Sequence, residues 1–283
     1  MTSTLRPAST GSRLRADQLR LGYERRVVAE NLSVTVPDGE FTVVIGPNAC
    51  GKSTLLKALA RAQPALAGTV TLDGRAITSY PTKEDARRLG LLPQSPTAPE
   101  AVTVADLVGR GRFPHQRFLR QWTAEDQAAV DRAMRETEVD HLADRPVDEL
   151  SGGQRQRSWL AMVLAQQTPL LLLDEPTTFL DIAHQLEVLD LCADLQERGL
   201  TIVAVLHDLN QACRYASHLI CMVDGRIVAT GPPALIVTPD LVADVFGVRC
   251  QVLPDPQTGS PLVIPLSRAD RRTVPTTPSG SDE

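Results

Sequence analysis

The chain has 283 residues, 42% hydrophobic and 22% charged, which is enough to bury a core of its own and unlike a disordered or fibrous polypeptide. Its 29 Lys and Arg against 34 Asp and Glu leave a net charge of −5, which disfavours a dedicated nucleic-acid binder, whose affinity comes from phosphate neutralisation. No apolar run nears the roughly 18 to 20 residues needed to cross a bilayer, no apolar stretch of a secretory signal opens the sequence, and Cys50, Cys192, Cys213, Cys221 and Cys250 show no CxxC spacing, so a cytoplasmic chain with reduced thiols is expected.

Residues 1–13 and 268–283, rich in Ser, Thr, Pro and charge, are expected to be disordered ends around one domain over 14–267. Val34 to Val36 and Phe41 to Ile45 flank Pro37-Asp38-Gly39, a turn signal that predicts two strands joined as a hairpin. Ser53 to Ala62, with Leu55, Leu56 and Leu59 at helical spacing, predicts a helix ending near Pro64. Gly68 to Ile77 predicts another hairpin turning at Asp73-Gly74, so the early part is mixed β. From Val104 to Gln167 the period is helical, and Thr123 can cap a helix carrying Ala128, Val130, Ala133 and Met134; a helical subdomain over about 98–168 follows. Leu170 to Leu173 and Thr201 to Leu206 predict strands, with a helix over Ile182 to Arg198 between them stopped by Gly199, which is βαβ logic and a parallel sheet. A short helix at Leu209 to Tyr215, a hairpin of Leu219 to Val223 with Arg226 to Ala229 turning at Asp224-Gly225, and a last hairpin of Val248 to Leu253 with Leu262 to Leu266 complete the chain.

Three motifs carry chemistry. Gly46-Pro47-Asn48-Ala49-Cys50-Gly51-Lys52-Ser53 fits G-x-x-x-x-G-K-[ST] between a strand and a helix, where backbone N–H groups and the helix N-terminus converge on phosphate oxygens. Lys52 is expected to reach the β and γ phosphates, Ser53 to offer its hydroxyl to magnesium, and Thr54 to meet the α phosphate. Leu170 to Leu173 end in Asp174-Glu175 at the carboxyl edge of the sheet, so Asp174 can hold magnesium through water and Glu175 can polarise a water aligned with the γ phosphate. Leu150-Ser151-Gly152-Gly153-Gln154 opens a helix through Gln167 and forms a second anion site, which one phosphate loop uses only if two sites face each other across a dimer. The fold class is α/β: a P-loop NTPase core with a parallel sheet, an antiparallel β subdomain and an inserted helical subdomain.

In this order, Gly46 to Ser53, Leu150 to Gln154 and Asp174-Glu175 resemble the nucleotide-binding subunit of an ATP-binding cassette transporter, over about Leu19 to Gly231. The resemblance implies ATP and Mg2+ as cofactors, a homodimer sandwiching two ATP molecules, and Ser151, Gly152, Gly153 and Gln154 of one copy completing the site of the other. It further implies that Gln94, after Leu91-Leu92-Pro93, joins magnesium, that His207 contacts the γ phosphate and orients the catalytic carboxylate, and that Asp181 communicates between sites. Tyr23 resembles the residue that stacks on adenine, with core packing as the rival reading. Phe179 and Ala49-Cys50 depart from the commoner family pattern, and Cys50 beside bound phosphate suggests that alkylation blocks ATP binding.

Gly109 to His115 and Pro254 to Pro261 resemble segments of ATPases serving ferric-siderophore, haem and cobalamin importers. Arg110, Arg112, Arg117 and Arg120 with Phe113, Phe118 and Trp122 fit either a permease or headgroup contact or a solvated loop. The implied system has a membrane permease and a substrate-binding protein, the ATPase lying peripherally on the cytoplasmic face of the membrane, with a ferric siderophore as first choice of cargo and no nucleic-acid partner. The rival is a soluble cassette ATPase of the iron–sulfur cluster assembly type. A P-loop kinase leaves Ser151 to Gln154 without a use.

Overall fold

The uninterrupted apolar runs form strands buried on both faces, and the computed structural model describes them within residues 12–23, 26–97, 99–116, 122–178 and 180–267. In chain order, β1 (Leu14–Tyr23) and β2 (Arg26–Val36) precede β3 (Phe41–Ile45), α1 (Lys52–Leu59), β4 (Ala67–Leu72) and β5 (Arg75–Ala76). Then come α2 (Thr82–Asp85), β6 (Leu89–Leu92), α3 (Val104–Gly109), α4 (Ala124–Glu136), α5 (Gly152–Ala165) and β7 (Leu170–Asp174). The rest is α6 (Ile182–Glu197), β8 (Thr201–Val205), α7 (Leu209–Tyr215), β9 (His218–Val223), β10 (Arg226–Gly231), α8 (Pro233–Ile236), α9 (Pro239–Phe246), β11 (Cys250–Pro254) and β12 (Pro261–Pro265).

The central sheet runs β10-β9-β3-β8-β7-β6, parallel throughout except for the β9–β10 hairpin. Strand alternation divides its side chains between two cores. Phe41, Val43, Leu171, Leu173, Ile202 and Ala204 face the side that holds α3 to α7, whereas Val44, Leu170, Leu172, Val203 and Val205 face α1 and the antiparallel sheet β2-β1-β4-β5. Burial on both faces explains why β7 and β8 read as continuous apolar runs rather than alternating ones. Each fully buried leucine contributes about 2 kcal/mol over an exposed one.

The expected hairpin at Pro37 to Gly39 is not one. The turn forms, with Gly39 at φ 70°, but β2 pairs with β1 whereas β3 enters the other sheet between β8 and β9. Gly39 N–H donates to Thr201 Oγ1 (2.9 Å), so the turn is fixed by a partner 162 residues away. Strand β1 and the first half of β2 lie where no strand was expected, because positive-φ residues Gln18 and Asn31 and register shifts break the two-residue period. Ser12 and Arg13, expected to be loose, are ordered: Arg13 N–H donates to Asp38 and its guanidinium pairs with Asp73 at 2.6 Å. Residues 1–11 and 268–283 lie outside the described residues.

The other hairpins form as expected. Asp73 and Gly74 take φ 49° and 76°, and Asp224 and Gly225 take 46° and 73°, the left-handed pair that a type I′ turn requires. Thr123 caps α4 in a reciprocal box with Asp126. Between β6 and β7 the described residues hold α3, α4, α5 and short 3-10 turns. In one of these turns Arg112, expected on a contact surface or solvated loop, is buried. It donates to Asp126 Oδ1 (2.9 Å), Ala165 O (2.9 Å) and Gln167 Oε1 (2.7 Å). Phe113 and Trp122 of the same stretch are exposed, while Arg117, Phe118 and Arg120 lie outside the described residues.

Candidate functional site

Parallel strands deliver their C-terminal ends to one edge of the sheet, and there β3, β6, β7 and β8 present the loops that carry the site. After β3 the chain turns through Gly46 (φ 151°), where a Cβ would lie 2.0 Å from Met222 O, so only glycine lets the loop pass β9. Gly51 (φ 107°) then starts α1, and no side chain caps that helix, in contrast to α3, α4, α5, α6, α7 and α9. Its first-turn N–H groups are therefore left for an anion, as a phosphate requires. Lys52 is buried and curls back on its own loop, donating to Gly46 O and Pro47 O at 2.8 Å each. Pro47, Asn48 and Ala49 form the turn between, with Ala49 at φ 62°.

Ser53 and Thr54 point different ways. Ser53 Oγ donates to Asp174 Oδ1 at 2.7 Å. Thr54 is buried, and its hydroxyl lies 3.5 Å from Tyr23 Oη. Tyr23 is 50% exposed, so it is not a core residue. Cys50 turns the other way, into the core with Val44 and Leu55, and burial pushes its thiol pKa up despite Lys52 nearby. A buried thiol with a raised pKa is a weak nucleophile, so alkylation of Cys50 is expected to be slow.

Asp174 is fully buried and its Oδ2 has no partner among the described residues. Burial raises its pKa above the usual carboxylate range, and the Ser53 hydrogen bond only partly offsets this. An orphaned buried oxygen beside a serine hydroxyl at the mouth of a phosphate loop fits a divalent cation with hard oxygen ligands. Glu175 follows at φ 55°, a left-handed conformation that costs a non-glycine residue of order 1 to 3 kcal/mol and calls for local support. That support is visible: His207 Nε2 lies 2.7 Å from Glu175 Oε1, and Oε2 accepts from Gln94 Nε2 (2.7 Å) and Thr178 Oγ1 (3.0 Å). Burial alone would raise the Glu175 pKa, but the hydrogen bonds from His207 and Thr178 outweigh it and hold it below its ordinary value. Gln94, expected at magnesium, thus rests its amide on Glu175. Thr178 joins the cluster without a sequence signal, since a threonine three residues from a carboxylate is not distinctive.

The helix tip at Ser151 is apart from this cluster. Ser151 Oγ accepts from Gln154 N–H (3.3 Å) and Gln154 Oε1 accepts from Ser151 N–H (3.2 Å), a capping box that satisfies itself. Ser151 and Gly152 are exposed, and a Cβ on Gly153 would come within 3.2 Å of His184, whose Nδ1 lies 2.7 Å from Asp181. Ser151 and Gly152, predicted to meet a triphosphate, therefore face outward, while Gly153 is buried against His184, beside Asp181 at the start of α6. Phe179 lies outside the described residues.

Residues 29–178 match the family model described as ABC transporter. The chain is 56% identical to the ferric enterobactin transport ATP-binding protein FepC of Escherichia coli (strain K12), over 94% of this chain and 97% of that protein. It is 52% identical to the achromobactin transport ATP-binding protein CbrD of Dickeya dadantii (strain 3937), over 91% and 97%. Among solved structures, a dimeric bacterial ABC transporter cassette superposes with a TM-score of 0.71 at 25% identity, covering 77% of this chain and 98% of that one. With the phosphate loop, the paired carboxylates and the serine–glycine helix tip in one α/β fold, the chain belongs to the ABC transporter family and is an ATPase.

Proposed function

We propose that this chain is the ATP-hydrolysing subunit of an importer for an iron chelate, a ferric siderophore, and that it works as a homodimer. A separate membrane permease carries the cargo, a substrate-binding protein delivers it, and the ATPase sits on the cytoplasmic face of the membrane. Among the described residues no helix is long and apolar enough to cross a membrane, which agrees with a separate permease. The iron-chelate assignment is supported by relatives named for ferric enterobactin and achromobactin transport.

One observation carries the chemical reading: a buried carboxylate, Asp174, shares one oxygen with Ser53 and leaves the other unpartnered, next to Glu175 and beside an uncapped helix start. In this reading Lys52 exchanges its two loop carbonyls for the β and γ phosphates of ATP, and the first-turn N–H groups of α1 take the remaining phosphate oxygens. Ser53 and Asp174 would hold Mg2+, with Gln94 close by through its bond to Glu175, and the ion would supply charge neutralisation at the phosphates. Glu175 orients and polarises the attacking water, His207 fixes its carboxylate and meets the γ phosphate, and Thr178 holds the second carboxylate oxygen. Tyr23 stacks on the base with its exposed ring.

The outward helix tip supports the dimer: Ser151, Gly152 and Gly153, with Gln154 capping them, complete the phosphate site of the second copy. Dimer closure then moves the helical segment against the permease, and hydrolysis reopens it. The test is uptake in cells lacking their own siderophore ATPase. Supply of this chain with its permease should restore iron-chelate uptake, whereas Lys52→Ala should not. Restoration by Lys52→Ala would overturn the reading.

A further inference from the structure

We infer that the C-terminal hairpin β11–β12 braces the hydrolysis step by holding α7 through Asn210, making Asn210 a positioning residue for His207. The inference rests on the reading above, in which His207 and Glu175 serve ATP hydrolysis. Asn210 lies in the first turn of α7, three residues after His207. Its side-chain amide makes both bonds that a neighbouring strand would make: Val263 N–H donates to Oδ1 at 2.7 Å, and Nδ2 donates to Val263 O at 3.1 Å. Val263 is the buried residue of β12 and pairs with Val252 of β11, so Asn210 lies on the strand edge away from β11. A two-stranded ribbon alone is marginal in water, and this amide serves as its third rung.

The dependence runs both ways. Helix α7 has seven residues, too few to persist without tertiary ties. On one side Gln211 Nε2 donates to Gln185 Oε1 (2.8 Å) and Tyr215 Oη donates to Asp190 Oδ1 (2.7 Å), both on α6. On the other side the Asn210–Val263 pair ties it to the hairpin. His207 lies between the end of β8, fixed where Leu206 N–H donates to Val44 O (3.3 Å), and the start of α7. Its ring is 45% exposed and meets Glu175 at 2.7 Å, so little packing aims it and its direction follows the backbone on which α7 begins. Ala212 and Cys213 stay in the core, so releasing Asn210 loosens only the hairpin's hold on the first turn of that helix and lets the imidazole drift from the carboxylate, while Lys52, Ser53 and the phosphate loop, on other elements, keep their places.

The experiment compares the full chain with Asn210→Ala and Asn210→Gln in Mg-ATP hydrolysis, alongside nucleotide-binding stoichiometry. Asn210→Ala should lower kcat about tenfold, in line with small misplacements of catalytic groups, and leave KM for ATP within twofold. Asn210→Gln, which keeps an amide on a longer arm, should lose less. Wild-type kcat per nucleotide-binding chain in Asn210→Ala, with only the melting temperature lowered, would overturn the brace. Glu175→Gln is run beside them: if it keeps turnover, the underlying reading fails, whereas an inactive Glu175→Gln beside a fully active Asn210→Ala overturns the brace alone. Should Asn210→Ala fail to fold, hydrogen exchange on the unaltered chain decides. The Val263 and α7 amides should exchange together, and a Val263 amide exchanging far faster than α7 would contradict the inference.

Discussion

The sheet edge and the Ser151 helix tip both carry sequence signals for binding phosphate, yet they are finished to different degrees. At the edge, Ser53, Asp174, Glu175, His207, Gln94 and Thr178 already hold one another, and Asp174 keeps one buried oxygen unpartnered. At the tip, Ser151 and Gln154 cap each other on an exposed surface and reach none of these groups. The first region is a site that one chain can build. The second caps itself through Ser151 and Gln154 and leaves Ser151 and Gly152 exposed to a surface from elsewhere, and that asymmetry is what a sandwich of two copies would produce.

The sharpest way to break the contrast is Glu175→Gln. Turnover should fall at least about 10³-fold while nucleotide affinity changes less than about threefold, because the group acts on water and not on ATP; comparable turnover would remove Glu175 from that role. Next is Arg112→Ala, a control within the helical segment. It strands Asp126 and should cost about 3 kcal/mol in denaturant unfolding, leaving nucleotide affinity alone. Burial would raise the Asp126 pKa, but hydrogen bonds from Thr123 and Arg112 leave it lowered. A depressed folded-state pKa contributes stability above the unfolded value of about 3.9 that disappears as pH falls through the lower folded value. The gap between wild type and Arg112→Ala should therefore hold at pH 7 and shrink as pH falls below the unfolded value of about 3.9, and a gap that widened with acid would contradict the pairing.

Ser151→Ala sharpens the difference from the other side. Turnover should fall about tenfold, the size of a hydrogen bond to a charged group, and stability by about 1 kcal/mol for the lost cap. Nucleotide affinity of the isolated chain should not change, and a matching loss of affinity would place the tip within its own chain's site. Tyr23→Ala is the mildest: affinity should drop about fivefold, roughly 1 kcal/mol, with stability hardly altered because the ring is half exposed. Unaltered affinity for the nucleotide would free Tyr23 from the base.

The spacing of Gly46 to Ser53 and the carboxylates after Leu173 were legible because phosphate binding needs those residue types in that local order. The I′ turns were legible for the same reason, since two left-handed residues decide them locally. What failed depended on distant partners. Pro37 to Gly39 does turn, yet whether β2 and β3 then pair is decided by β1, β8 and β9. Arg112 sits in a basic stretch, and only Asp126, Ala165 and Gln167 folded around it make it a core residue. Thr178 and the Asn210–Val263 pair are side-chain bonds between common residues, and no periodicity announces them.

The claim that one copy's outward helix tip finishes the other's phosphate site is tested most directly by weighing the protein. Glu175→Gln in Mg-ATP should run in sedimentation or light scattering at the mass of two chains, and adding Ser151→Arg to it should return the mass to one chain with nucleotide still bound. A single-chain mass at saturating ATP, or a doubled mass that survives Ser151→Arg, would contradict the account.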